Sequence, residues 1–61
     1  MAAAEFRVGE AVRILDGPFT NSVGIVRAVA TTSAGPITVG VGLQGREVLV
    51  EIDRYRLERI R

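Results

Sequence analysis

The stretch from Ile37 to Leu43 constrains the fold most, because it alternates strictly between aliphatic residues and small or polar ones. A period of two residues is that of a β-strand with one buried face. The opposite face carries Gly40 and Gly42, which would allow a barrel wall to bend sharply. A helical chain is disfavoured, because the sequence holds seven glycines and many Val, Ile and Thr residues.

The residues that follow predict a hairpin and a return strand. Gln44-Gly45 is a candidate two-residue turn. Beyond it, the aliphatic residues Val48, Val50 and Ile52 alternate with Glu47, Leu49 and Glu51. We expect Asp53–Arg56 to form a single helical turn and Leu57–Ile60 a short closing strand.

The residues before Ile37 predict two more strands joined by a tight loop. Phe6 begins an extended lead-in, and Val12–Ile14 reads as the first clear strand. Asp16-Gly17-Pro18 strongly predicts a turn. The Asp side chain can hydrogen-bond the backbone ahead of it, Gly permits a positive φ, and Pro fixes its own φ. Gly24 opens the next strand, Ile25–Val29, and a glycine there indicates a bulge, a positive φ or close approach of another backbone.

Five short strands in so small a chain indicate an all-β fold. A small sheet leaves its edges exposed unless it curls and closes, so we predict a strongly bent five-stranded antiparallel barrel. The predicted core consists of aliphatic residues on the alternating faces: Val8, Val12, Ile14, Val26, Val29, Ile37, Val39, Val41, Leu43, Val48, Val50, Ile52, Leu57 and Ile60.

Length and composition exclude several classes of function. A chain of 61 residues forms one domain at most, which we place at residues 6–61 after a disordered lead-in at residues 1–5. Cysteine and histidine are absent, so no disulfide, metal site or cofactor is expected, and Ser22 and Thr20 have no base to activate them. The lack of cysteine fits a reducing compartment, and the apolar runs are far shorter than a membrane span.

The basic residues are unevenly placed. All eight are arginine, and the net charge is only +1. Half of them lie in the last eight residues, at Arg54, Arg56, Arg59 and Arg61. These side chains could face phosphates, or they could belong to a solvated strand with Glu51, Asp53 and Glu58 as local partners. The interleaved acids favour the second interpretation.

Several motifs together resemble the C-terminal KOW domain of the NusG transcription factors. They are Phe6–Glu10, Val12–Phe19, Gly24, Leu43–Arg46 and Val50–Ile52, and the resemblance extends from Phe6 to Ile60. It implies an SH3-like barrel, which agrees with the strand count reached from the alternation alone.

The resemblance also implies a function. It suggests a non-catalytic, monomeric module of transcription elongation, termination and antitermination, which docks a NusE-type ribosomal protein or Rho in a bacterial cytoplasm or an organellar stroma. In the family an aromatic and aliphatic patch on two loops binds the partner, and Phe19, Leu43 and Arg46 match it. We expect these residues to form a docking face together with their loop neighbours Thr20, Asn21, Ser22, Val23, Gln44 and Gly45. The family often has Phe where this chain has Ser22 and Gln44, so two aromatic anchors are missing from the patch.

Single residues leave alternatives open. Phe19 is either a core plug at the barrel rim or an exposed anchor, and Arg46 either pairs with an acid across the hairpin or reaches a partner. Asp16 is expected to shape its turn, and Tyr55 to pack over the barrel end rather than stack on a base. The alternative function is an RNA-binding KOW module of a ribosomal protein, which the arginine-rich end favours and the low net charge disfavours.

Overall fold

The computed structural model describes residues 6–32 and 34–60 and places them in one all-β domain. Its elements are β1 (Ala11–Ile14), β2 (Val23–Val29), β3 (Ile37–Leu43), β4 (Arg46–Ile52), a 3-10 turn (Arg54–Arg56) and β5 (Leu57–Arg59). The five strands, the hairpin and the single helical turn are therefore confirmed. The lead-in predicted for residues 1–5 lies outside the described residues.

The sheet topology brings the two predicted binding loops to the same end of the molecule. The strands lie in the order β4-β3-β2-β1-β5, and every neighbouring pair is antiparallel. In such a meander, alternate connections fall at the same end of the sheet. The β1–β2 loop therefore lies at the same end as the β3–β4 hairpin.

One apolar cluster holds the sheet together. Its buried members are Val12, Ile14, Val26, Ile37, Val39, Val41 and Leu57. Leu57 lies on the edge strand β5, three strands away from the residues that β3 contributes. These strands can share a cluster only if the sheet curls around it, as the SH3-like barrel prediction requires.

Four predicted core residues are exposed, and for these the prediction was wrong. The exposed fractions are 65% for Val8, 41% for Leu43, 37% for Val48 and 38% for Ile60. Val8 precedes β1 and Ile60 follows β5, while Leu43 ends β3 at the hairpin. Val48 lies on the edge strand β4. Alternation assigns a residue to a face of its strand, but burial also requires a neighbour to cover that position.

Gly24 is required by the close approach of β3. A Cβ atom at this position would lie 2.6 Å from the carbonyl oxygen of Gly40 and 2.6 Å from Cγ1 of Val39. The irregularity in the β2–β3 register occurs further along, between Val26 and Ala28. Of the three explanations offered by the sequence, close backbone approach is therefore the correct one.

The segment before β1, residues 6–10, is fastened to the barrel by hydrogen bonds of Gly9 and Glu10. The amide of Gly9 donates to the carbonyl of Val26 (2.8 Å), and the Glu10 carboxylate accepts from the amide of Arg7 (3.0 Å) and from the Arg59 guanidinium. The Arg7 amide chiefly holds the pKa of the Glu10 carboxyl below its usual range; desolvation opposes this effect, and the hydrogen bond and charge of Arg59 add to it.

This lowered pKa predicts a loss of stability in acid. Ionised Glu10 stabilises the fold above the pKa of the unfolded chain, about 4.3 for Glu, and this contribution disappears as the pH falls through the lower pKa of the folded state. Between roughly pH 4.5 and 3, the melting temperature of the native chain should fall more steeply than that of Glu10→Gln. The matched control is Glu51→Gln, which removes an exposed carboxylate and should keep the native slope. Parallel curves for the native chain and Glu10→Gln would refute this role.

Candidate functional site

The first candidate loop, residues 15–22, is held by its own backbone. Gly17 has φ +91°, and its carbonyl accepts hydrogen bonds from the amide (3.1 Å) and the hydroxyl (2.6 Å) of Thr20. The amide of Ile14 donates to the carbonyl of Ser22 (2.9 Å), and the amide of Asn21 donates back to Ile14 (2.7 Å). The loop therefore projects from β1 and β2 in one defined shape.

The side chains of this loop are divided between core and surface. Phe19 is half-buried and packs against the core cluster, so it combines the two interpretations offered for it. Thr20 and Asn21 are exposed and Ser22 is half-buried. Val23 begins β2 with 51% of its surface exposed. The exposed apolar surface here therefore comes from Leu15, which is 45% exposed at the start of the loop, and from Val23 just after its end.

The second candidate loop is the β3–β4 hairpin. Gln44 has φ +51° and Gly45 φ +79°, the pair of positive angles that a two-residue type I′ turn requires. The turn sets Leu43 opposite Arg46, and both side chains are exposed. The predicted hairpin is thus confirmed, and it presents an aliphatic and a cationic side chain next to each other.

Arg46 is the one arginine in the described parts of the chain that makes no hydrogen bond, ion pair, ring contact or charge interaction with another described residue. The cross-strand pair suggested for it is instead made by the next residue, Glu47, whose carboxylate lies 2.8 Å from the guanidinium of Arg27 on β2. This ion pair crosses β3 above Gly40, where a Cβ atom would collide with the Glu47 carboxylate. Sequence reasoning missed the pair, and the glycine between its two strands was the available signal.

The arginines near the end of the chain have partners within the domain. Arg54 donates to the carbonyl of Gly35 (3.2 Å), and Arg56 lies 3.4 Å from the carboxylate of Asp16 and 3.9 Å from that of Asp53. Arg59 pairs with Glu10 and lies 4.6 Å above the ring of Phe6, while Glu58 pairs with Arg13 on β1 (3.4 Å). Carboxylates thus hold Arg56 and Arg59, but of the three local acids predicted as partners only Asp53 takes part, beside Arg56. Arg61 lies outside the described residues.

Tyr55 does not pack over the barrel end, and that prediction was wrong. Its side chain is 76% exposed. The hydroxyl donates to the carboxylate of Asp53 (3.2 Å), and Arg56 lies 5.6 Å from the ring centre. The ring is held at the surface by polar partners on the 3-10 turn instead of by the core.

A groove joins the ends of the two loops on the outer face of the sheet. Its volume is about 360 Å³. It is lined by residues of β2, β3 and the hairpin: Val23, Gly24, Ile25, Gly40, Gly42, Gly45, Arg46 and Glu47. Three of the predicted partner-binding residues, Val23, Gly45 and Arg46, therefore share one concave surface, whereas Phe19 and Leu43 lie outside its lining.

Within the described residues, no helix is long and apolar enough to cross a membrane. No group of acidic side chains in the same part of the chain is arranged to hold a metal ion.

Comparison with known proteins places these features in context. No family model matches the chain. It is 43% identical over 56 residues to proteins called transcription termination/antitermination protein NusG from Staphylococcus aureus strains Mu50 and N315, a match that covers 92% of this chain and 30% of theirs. A solved structure described as domain interaction in Thermotoga maritima NusG superposes with a TM-score of 0.84 at 28% identity, covering 98% of this chain and 33% of that one. The chain thus spans about a third of the length of these relatives.

Proposed function

This chain is a homologue of the C-terminal part of the NusG transcription factors, and from this relationship we propose that it is a non-catalytic docking domain for a NusE-type ribosomal protein or Rho. One observation carries the proposal: the fold brings the two loops to one end of the sheet, where Arg46 has no partner within the described residues. A cation without a partner beside exposed aliphatic side chains is typical of a surface that binds another protein.

RNA binding through the end of the chain is the weaker alternative. Arg54, Arg56 and Arg59 all contact acceptors or rings of the domain itself. Binding phosphates with these side chains would require them to exchange those partners. Among the residues described, the rings beside these arginines are Phe6, which Arg59 already covers at 4.6 Å, and Tyr55, which lies 5.6 Å from Arg56.

A titration followed by nuclear magnetic resonance tests the proposal. The 15N-labelled domain is titrated separately with a NusE-type ribosomal protein, with Rho and with a structured RNA. We expect either protein to shift the amide signals of residues 19–23 and 43–46 and to leave residues 54–60 unchanged. Shifts that arise with RNA alone, centre on residues 54–60 and fade as salt is added would overturn the proposal.

A further inference from the structure

We propose that the groove on the outer face is a subsite for an extended acidic segment of a protein partner, with a branched aliphatic side chain over Gly42 and a carboxylate on Arg46. This inference rests on the proposed function for the class of partner. It goes further by giving the partner segment a chemistry and a position on the sheet, away from the loop tips.

The shape of the groove favours an aliphatic side chain above Gly42. A Cβ atom at Gly42 would meet no other atom within 4 Å, whereas the space above Gly40 is occupied by the Glu47 carboxylate. Val23 and Ile25 line the β2 side of the groove, and Val23 is half exposed. An aliphatic group lying there would remove apolar surface from water on both partners.

The charges around the groove favour an acidic segment. Glu47 lines the groove, but its carboxylate is held by Arg27 at 2.8 Å. On the neighbouring strands, Arg13 and Glu58 neutralise each other at 3.4 Å. Arg46 is left as the cation at the rim without a partner among the described residues. A carboxylate beside it would complete a charge-assisted hydrogen bond.

Other occupants fit the groove less well. A nucleic-acid strand is normally held by several cations and by aromatic rings on which bases stack, whereas this lining has one such cation, no aromatic residue and the carboxylate of Glu47. A second copy that extended the sheet through β4 in antiparallel orientation, with the outer faces aligned, would set Glu47 of each chain opposite Glu47, Leu49 or Glu51 of the other. Like charges opposite each other destabilise strand pairing.

Short synthetic peptides test the subsite without any natural partner. The 15N-labelled domain is titrated with a seven-residue peptide in which isoleucine and valine alternate with glutamate, and with versions carrying glutamine or lysine in place of glutamate. We expect the acidic peptide to shift the amides of Val23, Ile25, Gly42 and Gly45. The glutamine version should bind up to about fivefold more weakly, and the lysine version should bind more weakly still.

Two variants separate shape from charge. Gly42→Val fills the groove at a position with room for a side chain, so it should keep the fold and abolish the shifts. The matched control is Ala28→Val, which adds similar bulk at an exposed position of β2 outside the lining. Arg46→Gln should bind the acidic and the glutamine peptides equally, whereas Arg7→Gln, the control outside the groove, should keep the preference for acid.

Several results would overturn the subsite. They are equal binding by Gly42→Val and the native domain, no preference for the acidic peptide, groove shifts with oligouridine but not with peptide, or groove shifts that depend on domain concentration alone. The peptide test does not depend on whether a natural partner binds the domain. If NusE-type protein and Rho both fail to bind while the acidic peptide binds, the proposed function fails and the subsite stands.

Discussion

Gly24→Ala should lose a large part of the domain's free energy of unfolding. The new methyl group would lie 2.6 Å from the carbonyl oxygen of Gly40, and this atom belongs to the backbone of the neighbouring strand. Overpacking of this kind typically costs about 1–3 kcal/mol, and more where backbone must move. A core of this size rarely supplies more than about 3–5 kcal/mol of net stability. One methyl group therefore removes most of the margin, and urea unfolding followed by circular dichroism would measure the loss.

The matched control is Gly42→Ala on the same sheet. A Cβ atom at Gly42 meets nothing within 4 Å, and alanine restricts the unfolded chain more than glycine does. This variant should be neutral or gain roughly 0.5–1 kcal/mol. The same substitution should thus lower the free energy of unfolding at Gly24 and leave it unchanged or raise it at Gly42. Equal unfolding midpoints for the two variants would show that β3 moves away from β2 at little cost.

The sequence predicts the strands well because local chemistry determines them. The alternation from Ile37 to Leu43, the Gln44-Gly45 turn and the Asp16-Gly17-Pro18 turn each act within a few residues. Their outcome is visible in β3, in the two positive φ angles of the hairpin and in the positive φ of Gly17. The antiparallel order then follows from the short connections.

The sequence predicts burial less well, because burial depends on curvature and on neighbours. Leu43 and Val41 lie on the same face of β3, yet Val41 is 2% exposed and Leu43 is 41% exposed at the hairpin. Conversely, Leu57 on the short edge strand is buried because the curled sheet brings it to the shared core. The alternation within one strand predicts neither the exposure of Leu43 at the hairpin nor the burial of Leu57 by the curl of the sheet.

The candidate site shows the same division between local and long-range information. The sequence identifies both loops, but the partner of each charge depends on residues far apart in the chain. Arg27 and Glu47 are separated by twenty residues and meet above Gly40. Once these two residues are paired, Arg46 remains without a partner in the described structure. The groove beside Arg46 likewise depends on the register that sets Ile25 opposite Gly40.

Ser22→Phe should strengthen binding of the proposed NusE-type partner by about tenfold. The resemblance to the NusG factors implies phenylalanine at this position, and buried aromatic residues supply a large share of interface energy. The backbone of Ser22 holds the loop through hydrogen bonds to Phe19 (3.0 Å) and Ile14 (2.9 Å), which the substitution leaves in place. Isothermal titration calorimetry of the purified domain would measure the change, since tenfold corresponds to about 1.4 kcal/mol.

Gln44→Phe should add less than Ser22→Phe, although it restores the second aromatic residue. Gln44 has φ +51°, a region that bulky side chains rarely adopt, so part of the binding gain is offset by strain and the melting temperature falls. The double variant should therefore bind more tightly than the native domain and melt lower than Ser22→Phe alone. Thr31→Phe, in the exposed β2–β3 connection at the other end of the sheet, controls for unspecific adhesion of an added ring. If Ser22→Phe gains no more than Thr31→Phe, the loops serve a different partner from the one proposed.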